Sequence, residues 1–254
     1  MSLRIGWEER GEGSPLVLVQ GLGYARWGWE PVADLLAERF RVILFDNRGI
    51  GESETPPGPY TVQEMARDVV QVLDEAGICR AHLVATSLGG MIGQELALAV
   101  PERVERLVLV CTTPGGPNAI PMPEPTVRLI AEGPTLAPLV ALRRFVENAL
   151  ATGAPDELVE RILAHRIRTA QPLEAWLAQA AAGAAFDAWD RLPGLELRTL
   201  VLHGTADVVV DPRNADLLVA RIPDAELELF PGCGHLLYWE RPEAFVARVG
   251  EFLA

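Results

Sequence analysis

Short, uninterrupted apolar runs recur along the chain with helix-period segments between them, and this alternation restricts the fold more than any other feature. Residues 15–20 (PLVLVQ), 41–45 (RVILF), 81–85 (AHLVA), 104–111 (VERLVLVC) and 199–203 (TLVLH) each have the length and β-branched, Leu-rich content of a strand covered on both faces. Between them, residues 27–39 have helical composition. Val62, Met65, Ala66, Val69, Val70, Leu73 and Ala76 follow the i, i+3, i+4, i+7 spacing, with Gly77 placed to end that helix. A further helix is expected over 87–99, closed by Pro101. Repeated strand, helix, strand order implies an α/β fold: a mostly parallel sheet with helices on both faces. One strand, over residues 3–8, is expected before Pro15.

The alternation stops after Cys111. Five prolines between positions 114 and 125 mark a linker, and the sequence to about 190 reads as helices only. Leu158, Val159, Ile162, Leu163 and Ile167 share one face of a helix, and residues 175–186 are Ala-rich and almost wholly apolar. Strand and helix patterns then resume with 199–203, a helix near 214–221, a strand at 225–230 and a helix at 242–253. Strands on both sides of the helical block make it an insertion. The division expected is a core domain of residues 1–117 and 191–254, with a helical cap of residues 118–190 placed between its strands.

Charge and composition exclude several kinds of chemistry. The formal charge is −13, a field that repels nucleic-acid phosphates and anionic lipid. All 22 basic residues are arginine. Without lysine there is no Schiff base, no pyridoxal phosphate anchor and no Walker-type phosphate loop. Cys79, Cys111 and Cys233 are odd in number and scattered, a pattern that fits neither a disulfide framework nor a metal site. The longest charge-free run, residues 107–123, contains four prolines and cannot span a membrane. No apolar leader follows the N-terminal Met, so a cytoplasmic location is expected, with no membrane or nucleic-acid partner.

The reactive side chains lie where strands end. Residues 81–85 run into Thr86-Ser87-Leu88-Gly89-Gly90 and then a helix, so Ser87 occupies a strand-turn-helix junction. Serine there either presents its hydroxyl above the sheet as a nucleophile or caps the helix. Asp207 follows the strand 199–203, and His235, in Gly232-Cys233-Gly234-His235, follows the strand 225–230. Parallel sheets gather their functional loops at the carboxyl ends of their strands, so the three should converge. A neutral hydroxyl needs a base, and an imidazole with a reference pKa of about 6.5 suits that role. Asp211 is the alternative acid. His203, His82 and His165 read as structural. The glycines after Gln20 begin like a dinucleotide fingerprint, but Arg26 replaces its third glycine.

With Ser, Asp and His in that chain order, the sequence resembles the α/β-hydrolase superfamily over essentially its whole length. Gln20-Gly21-Leu22-Gly23 is similar to the family's His-Gly-x-Gly oxyanion loop, and residues 46–53 (DNRGIGES) to its Asp-x-Arg-Gly-x-Gly-x-Ser segment. The chain departs from the pattern at Ala85, where the elbow usually has Gly, and at Gln20, where His is usual. The resemblance is strongest to small esterases and lactonases of the 3-oxoadipate enol-lactonase type, and to carboxylesterases. It implies a serine hydrolase acting on a small-molecule ester or lactone, with catalytic Ser87, Asp207 and His235. It also implies oxyanion donors at the backbone of Leu22 and Leu88, and no metal or organic cofactor. Tyr24, Met91, Val209 and Leu236 are the expected pocket residues, an apolar set that favours a neutral substrate. A cofactor-free haloperoxidase or perhydrolase would use the same triad, and a non-catalytic ligand-binding member of the fold would keep the pocket alone.

Overall fold

The computed structural model describes residues 3–254. Its strands are β1 (Trp7–Arg10), β2 (Ser14–Val19), β3 (Phe40–Phe45), β4 (Ala81–Thr86), β5 (Val104–Val110), β6 (Thr199–Gly204) and β7 (Ala225–Phe230). They form one sheet in the order β1-β3-β2-β4-β5-β6-β7, in which β1 is antiparallel to β3 and all other neighbours are parallel. The α-helices are α1 (Glu30–Ala37), α2 (Val62–Glu75), α3 (Leu88–Ala99), α4 (Glu124–Glu132), α5 (Pro138–Ala149), α6 (Asp156–Arg168), α7 (Leu173–Ala184), α8 (Arg213–Arg221), α9 (Leu237–Glu240) and α10 (Pro242–Leu253).

Alternate strand residues serve two cores. Val17, Val19, Ile43, Phe45, Leu83, Ala85, Leu107, Leu109 and Val201 join the apolar faces of α2, α3 and α8 on one side of the sheet. Leu16, Leu18, Val42, Leu44, Val84, Val108, Val110, Leu200 and Leu202 join α1 and α10 on the other. Each Val, Leu, Ile or Phe among them, fully removed from water, contributes roughly 1.5–3 kcal/mol, which is why the middle of each strand reads as an apolar run. The start of α2 is fixed by a capping box: Thr61 Oγ1 accepts from Glu64 N, and the Glu64 carboxylate accepts from Thr61 N. Its end is fixed by Gly77 in the left-handed region, φ +67°.

Two boundaries differ from the sequence expectation. Strand β1 begins at Trp7, not at residue 3, because residues before it bond to a loop: Glu54 N donates to Arg4 O and Gly6 N to Ser53 Oγ. The helix expected over 27–39 is divided into a 3₁₀ turn, Arg26–Trp29, and α1. Pro31, which has no N–H to donate, suits the first turn of α1 and explains where that helix starts.

Helices α4 to α7 lie between β5 and β6 in the chain. The segment leaves and returns at one place, for Gly116 N donates to Phe186 O at 3.0 Å and Ala188 N to Pro114 O at 2.9 Å. Val146, Ala149, Leu150, Val159 and Ile162 are part of one core cluster, and Ala182 and Phe186 of the other. The face of α6 that faces inward is Val159, Ile162 and Leu163, whereas Ile167, expected on that face, is exposed. Among the described residues no helix is long and apolar enough to cross a membrane.

Candidate active site

The sheet order places the ends of β4, β5, β6 and β7 side by side, and Ser87, Cys111, Asp207 and His235 follow them in turn. Ser87 N donates to Val110 O at 2.9 Å, and Thr112 Oγ1 donates to Ser87 O at 2.7 Å, tying the serine's turn to the end of β5. On the far side of β5, ligand-type atoms of Cys111, His203 and Asp207 lie within 4.8 Å of one another. His235 Nδ1 is 2.8 Å from Asp207 Oδ2.

Ser87 has φ +56° and ψ −121°, a strained conformation for a residue with a Cβ, and its side chain makes no helix-capping hydrogen bond. The capping alternative is therefore removed, and the serine is half-buried. Three close approaches hold this geometry. A Cβ on Gly89 would overlap the Val19 carbonyl oxygen, and one on Gly21 would sit 2.9 Å from Ser87 Cβ. Ala85 is accommodated because Gly93 faces it: a Cβ on Gly93 would lie 3.0 Å from Ala85 Cβ. The helix spends its own glycine opposite the elbow's extra methyl.

Asp207 is buried, and both of its oxygens are occupied. Oδ1 accepts from Val209 N at 2.8 Å and Val210 N at 3.0 Å, while Oδ2 faces His235. Burial alone would push this carboxyl up, but the opposing charge of His235 and hydrogen bonds from His203 and His235 hold it well below the usual carboxylate range. Asp211 is engaged elsewhere, with both oxygens on Arg213.

Gln20 replaces the expected histidine and still organises the loop. Its Oε1 accepts from Gly21 N at 3.1 Å, its amide lies 3.3 Å from the Tyr238 hydroxyl, and Asn47 Nδ2 donates to Gln20 O at 2.8 Å. Among the described residues nothing accepts from the N–H of Leu22 or of Leu88. Two free donors beside a serine and a helix N-terminus suit a developing negative charge.

Three of the helices between β5 and β6 touch one of these loops, and the fourth, α7, touches the first turn of α3. Thr126 of α4 donates to Val208 O, and Leu236 N donates to Ala149 O at the end of α5. The Arg166 guanidinium of α6 stacks 4.8 Å over the Tyr24 ring beside Gly23, and Gly183 of α7 faces Leu88 and Met91. Of the expected pocket residues, Met91 and Val209 are half-buried, whereas Tyr24 is buried and Leu236 packs into the core with Trp239. His165 bonds to Glu30 and stacks on Trp27, and His82 is buried beside Phe40. Asp46 grips Arg26 and Glu52 N and does not pair with Arg48, which instead bonds both oxygens of Asp68. The link between His203 and Asp207 was missed in sequence, although a His and an Asp four apart across a strand end is its signature.

The profile of the alpha/beta hydrolase fold matches residues 14–242. The chain belongs to the α/β-hydrolase fold family. RutD of Caulobacter segnis, assigned as a carbamate hydrolase, is 32% identical, covering 98% of this chain and 94% of its own length. The 2-hydroxy-6-oxo-6-phenylhexa-2,4-dienoate hydrolase of Burkholderia cepacia is 31% identical over 100% of this chain and 92% of its own. Among solved α/β-hydrolases, the enol-lactonase from Burkholderia xenovorans LB400 superimposes with a TM-score of 0.87 at 29% identity, covering 99% of this chain and 96% of that one. These relatives are hydrolases of small molecules, and this chain is similar to them in fold and over nearly its full length.

Proposed function

We propose that this hydrolase cleaves carboxylic esters or lactones through an acyl-enzyme, with Ser87 as nucleophile, His235 as general base and Asp207 as the residue that orients it. The observation that carries this reading is the Ser87 turn: a positive φ on a residue with a Cβ, a side chain not used as a cap, and, from the loops after β6 and β7, an Asp–His pair at 2.8 Å. Ser87 Oγ attacks the acyl carbonyl as His235 Nε2 takes its proton. The oxyanion forms against the N–H groups of Leu22 and Leu88. His235 then returns the proton to the leaving alcohol oxygen, and water repeats the sequence to free the acid. Asp207, fully hydrogen-bonded and held ionised, keeps Nδ1–H directed at itself and leaves the Nε2 lone pair for the serine.

Helices α4 to α7 form a cap over this site in the proposal, since α4, α5 and α6 each contact a site loop and α7 contacts the first turn of α3. Met91, Val209 and the Tyr24 edge line the acyl space, and the enzyme works in the cytoplasm without cofactor. A fluorophosphonate probe should label the wild type at Ser87. A panel of esters, lactones, a carbamate and a vinylogous diketone then reads the bond cleaved. Turnover confined to the carbamate or the C–C bond would overturn the ester and lactone reading.

A further inference from the structure

The mechanism above leaves one fully buried imidazole unused, and it touches the acid. His203 Nε2 lies 3.1 Å from Asp207 Oδ2 and 3.0 Å from Val210 O, and neither side chain is exposed. A ring nitrogen between two oxygens must carry the proton, because a lone pair there would face two others. His203 is therefore the Nε2–H tautomer. Its Nδ1 has no hydrogen-bond partner among the described residues, as suits a bare lone pair in an apolar core.

We propose that His203 is a positioning residue that tunes the base: by sharing Oδ2 with His235, it pins the carboxylate and weakens the pull of Asp207 on the His235 imidazolium. The oxygen facing the base carries two imidazoles, and its partner carries two backbone N–H groups. A second N–H on Oδ2 spreads the negative charge that would otherwise stabilise protonated His235. The same ring N–H reaches Val210 O and so closes the loop that carries the acid. The other titratable groups facing this cluster are Cys111 after β5, Asp211 in the acid loop and Glu240 of α9, which accepts from Gly234 N at 2.6 Å. Cys111 is a buried thiol pushed up by burial and by the Asp207 charge, so it stays neutral. Its S–H is a weak donor beside the Asp207 carboxyl, whereas the carboxylates of Asp211 and Glu240 have no proton to place there.

The role assigned to His203 rests on the triad reading, and the test separates the two. Ring ¹⁵N spectra of the whole protein at pH 8 should show His203 as the Nε2–H tautomer. The His235 titration followed by the same signals should move to higher pH in His203→Phe, by about half a unit or more. In His203→Gln, whose Nε2 can occupy the same donor position, it should return to within about 0.2 units of wild type. The acid limb of kcat/KM for an activated ester should follow the same order, with KM little changed. An Nδ1–H tautomer or an imidazolium at His203 would overturn the proposal even if His203→Phe failed to fold. So would a His235 titration unmoved in His203→Phe. Failure of the triad reading would look different: no fluorophosphonate labelling of wild type or variants, with the spectroscopic shifts still present.

Discussion

Replacing Asp207 by Asn tests the site at its most constrained atom. The side chain can be oriented in two ways. With the amide oxygen at the Oδ1 position it keeps the bonds from Val209 N and Val210 N. Reversed, it would leave both buried N–H groups facing an NH₂, at a cost of about 1–3 kcal/mol each, so the first orientation prevails. That orientation sets an NH₂ where Oδ2 stood, 2.8 Å from His235 Nδ1 and 3.1 Å from His203 Nε2, whose N–H still has Val210 O to bond. Two donors cannot face each other at 2.8 Å, and the His235 imidazole escapes by moving its proton to Nε2. The lone pair that accepts the serine proton in the proposed mechanism is then gone. By analogy with triads in which this change has been made, kcat should fall by about 10⁴, or roughly 5 kcal/mol of barrier, with KM within a few-fold of wild type. Stability supplies a second reading. The Asp207 pKa is lowered on folding, so the wild type has a stabilising contribution present above the unfolded value near 3.9. That contribution is lost as pH falls through the still lower folded value. The gap in Tm between wild type and Asp207→Asn should therefore narrow on acidification from about pH 6 to pH 3. Asp211→Asn, whose partner is the exposed Arg213, should stay within about twofold of wild-type kcat. Steady-state kinetics on an activated ester and thermal melts measure both. Asp207→Asn within tenfold of wild-type kcat/KM, or Asp211→Asn as the crippled variant, would refute the reasoning.

Ser87→Ala should abolish fluorophosphonate labelling and lower kcat by as much as about 10⁶, and equal labelling of the two proteins would remove Ser87 from the mechanism. Gln20→Leu strips Gly21 N and the Tyr238 hydroxyl of a partner; it should lower kcat about 10- to 100-fold with KM little changed, and an unaltered kcat would show that Gln20 does not shape the oxyanion loop. Gly89→Ala forces a methyl onto the Val19 carbonyl, so the urea midpoint should drop by the equivalent of about 2–3 kcal/mol, whereas a midpoint equal to wild type would mean that the β2 end and the elbow are not held as close as described.

The order of elements and the mostly parallel sheet are written in local pattern. A strand covered on both faces is apolar on successive residues, and β2 to β6 carry that signal in runs of three to five apolar residues. The helix ends of α2 are equally local, set by Thr61, Glu64 and Gly77 within one or two turns. The chain positions of Ser87, Asp207 and His235 follow from the same logic, since each comes just after a recognisable strand. Other features depend on contacts between residues distant in sequence, which periodicity does not record. The start of β1 depends on which backbone pairs with Phe45, and Arg4 and Gly6 find loop partners instead. Gln20 substitutes for histidine only because Tyr238, 218 residues away, and Asn47 meet its side chain and carbonyl. Ala85 fits at the elbow only because Gly93 lies opposite it across the helix–sheet interface. Ile167 continues the apolar stripe of α6 in sequence yet faces solvent, because the stripe is longer than the surface available to cover it. His203 shows the division most clearly: its sequence position marks the end of a strand, but the tautomer it must adopt is decided by two oxygens that converge on one ring nitrogen when the acid loop closes.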